Sequence, residues 1–398
     1  MPSPLFRRVA VLGLLSATGP FAIDMYLPAL PALAEDLGTT VTGAQATLTA
    51  YFLAFGLAQL AYGPWSDAAG RRGPLTAGLA IFLLASVAAA LAPGIATLTA
   101  ARAVQGLGAA AVMVIPRAII RDWSTGPEAT RMMAMVMLVI SVSPMLAPLA
   151  GSLVILGAGG WRTIFWVLAG AAALSLLLTR TALEETLPPA ARRPVALARL
   201  RADVAALLGD RGFLVLTFIG GFGMASFFVF IASASFVYTE QFGLSPTGFS
   251  LAFALNAAGF FGASQVAATL GERFGTARVV RVATAGFAAV TASLWALTAM
   301  GFAGLPAIVG LLLLGNACLG LVIPSVMVMA LDDQGARAGM ASSLGGTLQM
   351  VTGGAAMALA APFFDGTATP MVGAIALCGL AAFALSRMVA PQAAPLAT

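Results

Sequence analysis

Long apolar runs dominate the chain, and short breaks of glycine, proline or charged residues separate them. Each run has the roughly 20 residues that an α-helix needs to cross a bilayer. The pattern therefore predicts an all-α membrane protein with twelve transmembrane helices instead of a β-barrel. We place these helices at residues 6–34, 43–66, 74–93, 96–121, 129–157, 161–182, 211–239, 246–271, 277–300, 304–331, 338–363 and 368–389.

The first apolar run also resembles a secretory signal peptide, because Arg7 and Arg8 precede it and residues 32–34 look like a cleavage site. The run is too long for that class of segment, and it contains Asp24 and two prolines. Many more apolar runs follow it. We therefore expect it to remain as the first transmembrane helix.

Composition supports membrane insertion, since 60% of the residues are hydrophobic, 9% are charged and the mean hydropathy is +0.98. All 20 basic residues are arginines. With the N-terminus inside, they fall on cytoplasmic segments or cytoplasmic helix ends, and Arg162 is the exception. We expect both termini to be cytoplasmic. The net charge of +5 then reports membrane topology and not nucleic-acid binding.

Metal and cofactor chemistry has few candidate residues in this sequence. Histidine is absent, and Cys318 and Cys378 both fall inside predicted helices. We therefore expect no disulfide framework, no metal site, no cofactor and no catalytic residue.

The longest polar interruption, residues 183–210, divides the chain almost in half. It predicts an N-terminal six-helix bundle over 1–182, a cytoplasmic connector over 183–210 and a C-terminal six-helix bundle over 211–398. The later part of the connector, VALARLRADVAALLG, has helical apolar spacing and fits an amphipathic helix on the inner membrane surface. A plain solvated linker remains the alternative.

An internal repeat supports the division into halves. Asp67 and Gly70 follow the second span, Glu272 and Gly275 follow the eighth, and both offsets are 205 residues. The repeat predicts two pseudo-symmetric bundles, a common plan among transporters, which bind substrate near the membrane midplane and move one half against the other.

Several segments carry a resemblance to a known family. GPWSDAAGRRGPL (63–75) resembles the first-loop signature of the major facilitator superfamily, and LTAARAVQGLGAAA (98–111) resembles its fourth-helix motif. IDMYLPALP, FGMASFFVFIASASFVY and FSLAFALN are similar to the Bcr/CflA group of drug efflux pumps, named for bicyclomycin and chloramphenicol resistance. The resemblance implies the major facilitator fold and a place in a bacterial inner membrane.

The resemblance also implies a conformational switch at the first loop. Gly63, Asp67, Gly70, Arg71 and Arg72 match its signature. Asp67 would lock the cytoplasmic side in one state, with Arg121 as a candidate partner. The alternative is that Arg71 and Arg72 only set membrane topology.

Asp24 and Arg102 are the opposite charges that the sequence places deep inside helices. A charge at that depth costs about 2.5 to 3.5 kcal/mol on insertion scales, so it needs a cavity or a partner. The two lie at comparable predicted depth, and we infer that they face one cavity. Without histidine, Asp24 is the deepest candidate for proton coupling, and the resemblance implies that role for both residues. A static buried ion pair is the alternative.

The proton-coupling carboxylate has no counterpart in the second half. The repeat offset brings Asp24, within a residue, to Phe230. We therefore expect proton coupling to reside in the first half.

The fifth span contains SVSPMLAPLAGS (141–152), which aligns with the family's antiporter motif at Ala147, Pro148 and Gly151. Only the proline and one glycine match. Close helix approach and a proline bend are still expected, although small residues are also ordinary packing in a membrane bundle.

Polar and aromatic residues inside the spans are candidates for a substrate cavity. We expect Tyr26, near Asp24, and Asn256, an amide that needs a partner in hydrocarbon, to face the pathway. The remaining candidates are Met224, Phe227, Phe230 and Tyr238.

The sequence favours a proton-coupled multidrug efflux antiporter for small amphipathic compounds such as phenicol-type antibiotics. Its expected partners are a drug-like substrate, protons and the lipid bilayer, and we expect a monomer. A proton symporter or facilitator for a small metabolite is the alternative, although the helices are poor in polar groups. A membrane-embedded enzyme is a third reading, for which acid–base and metal chemistry lack candidates.

Overall fold

The computed structural model describes residues 4–124, 126–192 and 196–389. Within these residues, twelve segments are long and apolar enough to cross a membrane, so the predicted all-α class and span number are confirmed. The helices are α1 (Pro4–Asp24), α2 (Leu30–Asp36), α3 (Val41–Ala69), α4 (Arg72–Ala90), α5 (Ile95–Trp123), α6 (Gly126–Ala158), α7 (Arg162–Thr181), α8 (Leu197–Gly209), α9 (Arg211–Phe236), α10 (Pro246–Phe274), α11 (Thr276–Ala299), α12 (Leu305–Asp332), α13 (Ala338–Ala360) and α14 (Ala368–Ser386).

The first span differs from the prediction of one unbroken helix over 6–34. Helix α1 ends at Asp24, a 3-10 turn follows at Leu27–Ala29, and α2 completes the span. Pro28 explains the break, because it lacks the N–H that would bond to the Asp24 carbonyl and its ring collides with that carbonyl in a helix. The break places Asp24 at a helix end.

The chain divides into two compact units, Met1–Ala196 and Leu197–Thr398. In the first unit, α3 packs on α5, α4 packs on α5 and α7, and α1 packs on α6. In the second unit, α10 packs on α12, α11 packs on α12 and α14, and α9 packs on α13. The same packing plan therefore occurs twice, as the repeat in the sequence predicts.

The repeated acid-x-x-Gly motif has a backbone cause. Gly70 follows the end of α3 with φ of 93°, and Gly275 follows the end of α10 with φ of 85°. Such positive φ values favour glycine, which has no Cβ to collide with the backbone. Each glycine thus ends one helix and lets the chain turn directly into the next.

Large apolar side chains remain exposed on the outer faces of the spans. Leu84 and Leu153 are each 68% exposed, and Leu377 is 61% exposed. Apolar faces of this extent fit a lipid environment better than water. The chain is therefore a multi-pass membrane protein.

The connector predicted over residues 183–210 has a later part that is helical and packed. The later part forms α8, whose Leu207 is fully buried and which packs on α9 and α13 of the second unit. The Asp203 carboxylate also lies 3.9 Å from the Arg337 guanidinium. Helix α8 is thus a packed element of the second unit and not a plain linker. Residues 193–195 of the predicted connector and both chain ends lie outside the described residues.

Candidate functional site

Asp24 is a buried carboxyl at the end of the first helix. It is the last residue of α1, and only 4% of its surface is exposed. Among the described residues, none donates a hydrogen bond to its carboxylate and none forms an ion pair with it. An ionised carboxylate in such surroundings is far more costly than the neutral acid.

Arg102 lies on α5 and is fully buried. Its Nη1 donates one hydrogen bond to the carbonyl oxygen of Ala22, at 3.1 Å, and another to Oε1 of Gln105. Ala22 is two residues before Asp24, so the guanidinium reaches the last turn of α1. Its Nε and Nη2 have no hydrogen-bond partner within the described part of the chain.

Three aromatic rings surround the Arg102 guanidinium. Its central carbon lies 4.4 Å from the ring centroid of Tyr51, 4.9 Å from that of Tyr26 and 5.8 Å from that of Phe165. The negative faces of such rings attract a cation, by about 2 kcal/mol when water is excluded. We call Tyr26, Tyr51 and Phe165 the aromatic cage. The cage stabilises a buried cation that has no carboxylate partner.

Close helix packing brings Tyr51 over Arg102. A Cβ at Gly106 would lie 2.3 Å from the carbonyl oxygen of Tyr51, so only glycine permits this approach of α3 to α5. The Tyr51 hydroxyl then donates to the Gly19 carbonyl at 3.5 Å. Glycine on α5 thus positions a ring that belongs to α3.

Two further hydrogen bonds fix the surroundings of the guanidinium. The Tyr26 hydroxyl pairs with Oγ1 of Thr47 at 3.0 Å. Nε2 of Gln105 donates to Oγ of Ser86 at 2.7 Å, which leaves Oε1 of Gln105 pointing at Arg102. The orientation of Arg102 therefore depends on α3 and α4 as well as on its own helix.

The antiporter-motif helix α6 packs against the break in the first span. A Cβ at Gly151 would lie 2.0 Å from the carbonyl oxygen of Met25, the residue after Asp24. Ala147 is fully buried, and Pro148 lies within the helix. The degenerate motif thus keeps its small residues where close approach requires them.

The first-loop signature forms a charge network centred on Arg71. Its guanidinium pairs with Asp67, and its Nε donates to Asp122 at 2.8 Å. Nη1 also donates to Oγ of Ser66 at 2.9 Å, and that hydroxyl donates to the Gly63 carbonyl at 3.0 Å. Burial alone would lower the pKa of Arg71, but the two carboxylates raise it above its ordinary value, so the guanidinium stays charged.

Glu185, from the start of the connector, clamps the same loop. Its carboxylate accepts hydrogen bonds from the backbone N–H of Arg71 at 2.8 Å and of Arg72 at 3.1 Å. Nη2 of Arg72 also donates to the Arg180 carbonyl at 2.6 Å. Partial burial by itself raises the pKa of the Glu185 carboxyl, but the N–H donors of Leu187, Arg71 and Arg72 outweigh it and hold that pKa below its ordinary value.

In the second unit, an aromatic cluster includes the position that the repeat offset pairs with Asp24. Phe230 is 2% exposed, stacks on Phe253 with centroids 5.6 Å apart and meets the Tyr238 ring at 6.4 Å. The Tyr238 hydroxyl is buried without a partner in the described region. Phe227 stacks on Phe260 at 6.3 Å and is half-buried, as is Met224.

Asn256 has a partner that the sequence did not predict. Nδ2 of Asn316 on α12 donates to Oδ1 of Asn256 on α10 at 3.2 Å, and Nδ2 of Asn256 donates to the Ala252 carbonyl at 3.0 Å. Both asparagines are buried. The amide thus links two helices of the second unit.

The profile of the Major Facilitator Superfamily matches residues 12–358. The chain belongs to the Major Facilitator Superfamily. An uncharacterized MFS-type transporter of Bacillus subtilis (strain 168), YdgK, is 36% identical over 380 residues, which cover 93% of this chain and 94% of that protein. A bicyclomycin resistance protein homolog of Haemophilus influenzae is 28% identical over 379 residues and 94% of this chain, and 93% of its own length is covered.

The fold also matches a solved transporter. The crystal structure of a D-xylose-proton symporter aligns with a TM-score of 0.76 at 15% identity, over 97% of both chains. Identity this low shows a shared fold alone. Together with the family profile and the bicyclomycin-resistance relative, it confirms the predicted fold and the predicted resemblance to the drug-resistance group.

Two pairings raised by the sequence of this superfamily member do not occur among the described residues. The static Asp24–Arg102 ion pair, which was the alternative interpretation, is not formed, and the guanidinium contacts the aromatic cage and the Ala22 carbonyl instead. The candidate partner of Asp67 was Arg121, but the Asp67 carboxylate pairs with Arg71, four residues later, and Arg121 is exposed.

Sequence reasoning missed several residues of this transporter's polar networks. Tyr51, Phe165, Glu185 and Asn316 are not among the residues that the sequence predicted for the site. Arg117, a half-buried arginine on α5, was missed as well, and its buried Nε has no partner within the described residues. The signal available for Tyr51 was its phenol group in an apolar helix, and that for Arg117 was a charge six residues before the end of α5.

Proposed function

We propose that this transporter is a proton-coupled antiporter that exports small amphipathic compounds, such as phenicol-type antibiotics, by alternating access. The observation that carries the proposal is the buried carboxyl of Asp24, which has no partner among the described residues and ends the helical turn whose Ala22 carbonyl binds the buried guanidinium of Arg102. A membrane protein tolerates such a costly group mainly where its charge is used.

Proton binding at Asp24 and the position of Arg102 are coupled by their energies. With a proton on Asp24, the carboxyl is neutral and Arg102 remains in the aromatic cage. Loss of the proton creates a charge that attracts the guanidinium. Contact at ~4 Å provides about 4 kcal/mol at an effective dielectric constant of ~20, about twice the roughly 2 kcal/mol that a single ring of the cage contributes. In this proposal the guanidinium shifts toward Asp24 when the proton leaves and gives up part of its contact with the cage.

This exchange of partners provides an antiport cycle. A proton that enters from the outer side neutralises Asp24 and displaces the substrate. Release of the proton on the inner side restores the charge and resets the site. Asp67, Arg71 and Asp122 form the switch network that holds one state of the first loop and opens in the other.

The composition of the second unit supports an apolar or amphipathic substrate. Met224 and Phe227 are half-buried, and thioether and aromatic side chains adapt to varied apolar shapes. Tyr238 and Asn256 supply the few polar groups among the candidate substrate contacts of this unit, and Tyr26 is the polar candidate of the first unit. The name of the Haemophilus influenzae relative supports a drug-like substrate. We further propose a monomer in a bacterial inner membrane with both termini cytoplasmic.

The test is purified protein in liposomes with an imposed pH gradient, assayed with a phenicol, a cationic dye and a sugar. Wild-type protein should release protons when a phenicol or dye is added on the inner face. Asp24→Asn should abolish this release, because the amide does not titrate. Glu35→Gln is the matched control, since Glu35 is an exposed acid of the same span.

Three outcomes would contradict the proposal. Proton release that persists in Asp24→Asn would remove Asp24 from the coupling step. Sugar uptake along the proton gradient would indicate the symporter alternative. Chemical conversion of an added compound would indicate an enzyme.

A further inference from the structure

A groove separate from the surroundings of Asp24 lies on the lipid-facing surface of the second unit, between α10, α11 and α12. It is a groove of about 400 Å³ at the end where α10 turns into α11. Its wall is apolar, formed by Leu270, Phe274, Val279, Val282, Cys318 and Leu321. Val282 is 66% exposed and Phe274 is 48% exposed, so the groove opens toward the lipid-facing surface.

One charged residue lines this groove. Arg278 lies in the first turn of α11, three residues after Gly275, and is exposed. Within the part of the chain that the structure describes, it forms no ion pair. The charge pattern places it on the arginine-rich side of the membrane, at the level of lipid head groups. The groove thus combines an unpaired cation at one end with an apolar wall.

A glycine extends the groove into the membrane. Gly286 lies eight residues after Arg278 on α11, which is about 12 Å along a helix. A Cβ there would come within 3.3 Å of Sγ of Cys318. Gly286 and Cys318 are thus closely packed, and because both line the groove, its apolar slot runs from Arg278 to this pair.

We propose that this groove binds an anionic phospholipid, with its phosphate at Arg278 and one acyl chain along the slot to Gly286. An anionic head group neutralises the unpaired guanidinium, and the chain buries the apolar wall, at roughly 25 cal/mol per Å². A soluble anion would satisfy the cation and leave the wall exposed. A neutral or zwitterionic lipid would cover the wall without adding net negative charge at the arginine.

A second groove in the same unit provides an internal comparison. It has a volume of about 540 Å³, lies between α11, α13 and α14, and is lined by Trp295, Phe363, Leu377 and Cys378 among other uncharged residues. None of the described residues that line it is charged. We expect it to accept acyl chains without preference for the head group.

The two native cysteines report on the two grooves. Purified full-length protein in an uncharged detergent is treated with N-ethylmaleimide, with added phosphatidylglycerol or phosphatidylcholine, and alkylation of each cysteine is followed by peptide mass spectrometry. Phosphatidylglycerol should slow alkylation of Cys318 at least threefold more than phosphatidylcholine. Cys378 should be slowed equally by both lipids, because its groove lacks a cation.

Two arginine variants separate a specific site from general charge. Arg278→Gln should make the two lipids equally protective at Cys318. Arg281→Gln, on the same helix and outside the groove lining, should leave the preference intact. Comparison of the two lipids within each variant removes any direct effect of the substitution on thiol reactivity.

The proposal is overturned if wild-type Cys318 does not distinguish the two lipids, or if Arg281→Gln removes the preference as fully as Arg278→Gln. Protection of Cys318 by inorganic phosphate alone, equal to that by phosphatidylglycerol, would also overturn it, because it would indicate a soluble-anion site.

Discussion

The carbonyl oxygen of Met25 lies against Gly151, so close that a Cβ at position 151 would stand 2.0 Å from it. Helix α6 therefore contacts the backbone of the first span at the residue after Asp24. A backbone carbonyl at a proline-induced break has little freedom to move away. The glycine of the fifth span thus controls how closely α6 approaches the carboxyl-bearing turn.

Gly151→Ala should destabilise the protein by about 1 to 3 kcal/mol, as overpacking of a buried contact does. Thermal unfolding in detergent would measure this, and substrate-evoked proton release would fall with it. Gly157→Ala is the matched control on the same helix, because a Cβ there meets nothing within 4 Å. An equal decrease in the unfolding midpoints of the two variants would contradict the contact.

Tyr51→Leu should destabilise the protein more than Tyr51→Phe. Leucine removes the ring whose centroid lies 4.4 Å from the Arg102 guanidinium carbon, whereas phenylalanine keeps the ring and loses only the long hydrogen bond to Gly19. The difference in unfolding free energy should be about 2 kcal/mol. Equal destabilisation by both variants would assign the stabilising effect to the hydroxyl.

Glu185→Gln should release the first loop. The amide oxygen is a weaker acceptor for the N–H groups of Arg71 and Arg72, so hydrogen exchange at these two positions should accelerate several-fold. Glu184→Gln is the control, since within the described residues the N–H groups of the loop donate to Glu185 and not to Glu184. Unchanged exchange in Glu185→Gln would show that the clamp is not formed in solution.

The same clamp has a defined pH dependence. The pKa of Glu185 lies below its ordinary value of 4.5, so the carboxylate stabilises the loop fully above that value and loses its effect as the pH falls through the lowered pKa. Protection of the Arg71 and Arg72 backbone amides from hydrogen exchange, corrected for intrinsic exchange rates, should therefore be constant from neutral pH to about pH 5. It should decrease only at pH values below the ordinary pKa of the Glu185 carboxyl. A loss that begins near neutrality would implicate another group.

Asn256→Leu and Asn316→Leu should show energetic coupling. Each single variant leaves one buried amide without its cross-helix partner, and the double variant removes both. Such pairs in membrane bundles have coupling energies of roughly 0.6 kcal/mol and up to about 1.7 kcal/mol. A double-mutant cycle on unfolding free energies measures the term, and Gln265→Leu, with only local hydrogen bonds on α10, is the control.

The spans could be predicted from the sequence because bilayer crossing requires a length of apolar residues that is visible without tertiary structure. The turns at Gly70 and Gly275 could also be predicted, because a glycine that ends a helix is a local backbone requirement. Pro28, four residues after Asp24, is a local signal for the break in the first span, but the length of the apolar run led to the prediction of one unbroken helix. Local rules thus account for the helices and their ends.

The partners of buried polar groups could not be predicted in the same way. Tyr51 covers Arg102 because Gly106 lets α3 and α5 approach closely. The relative position of these two helices is set by tertiary packing and not by the local sequence. Asn316 and Glu185 lie 60 residues from Asn256 and 114 from Arg71, respectively. The family motifs indicated that Arg102 and Asp67 are functional candidates. Their contacts depend on the rotation of the packed helices and on a connector that folds back onto the first loop.

Arg102 also completes the end of α1, and this has a mechanical consequence. In an uninterrupted helix the Ala22 carbonyl would receive the backbone N–H of Tyr26, but here it receives the guanidinium instead. If the arginine leaves, that carbonyl loses its donor, and extension of α1 by residues 25 and 26 would supply a new one, the N–H of Tyr26. A change of charge at one side chain would thereby alter the length and bend of the first span itself.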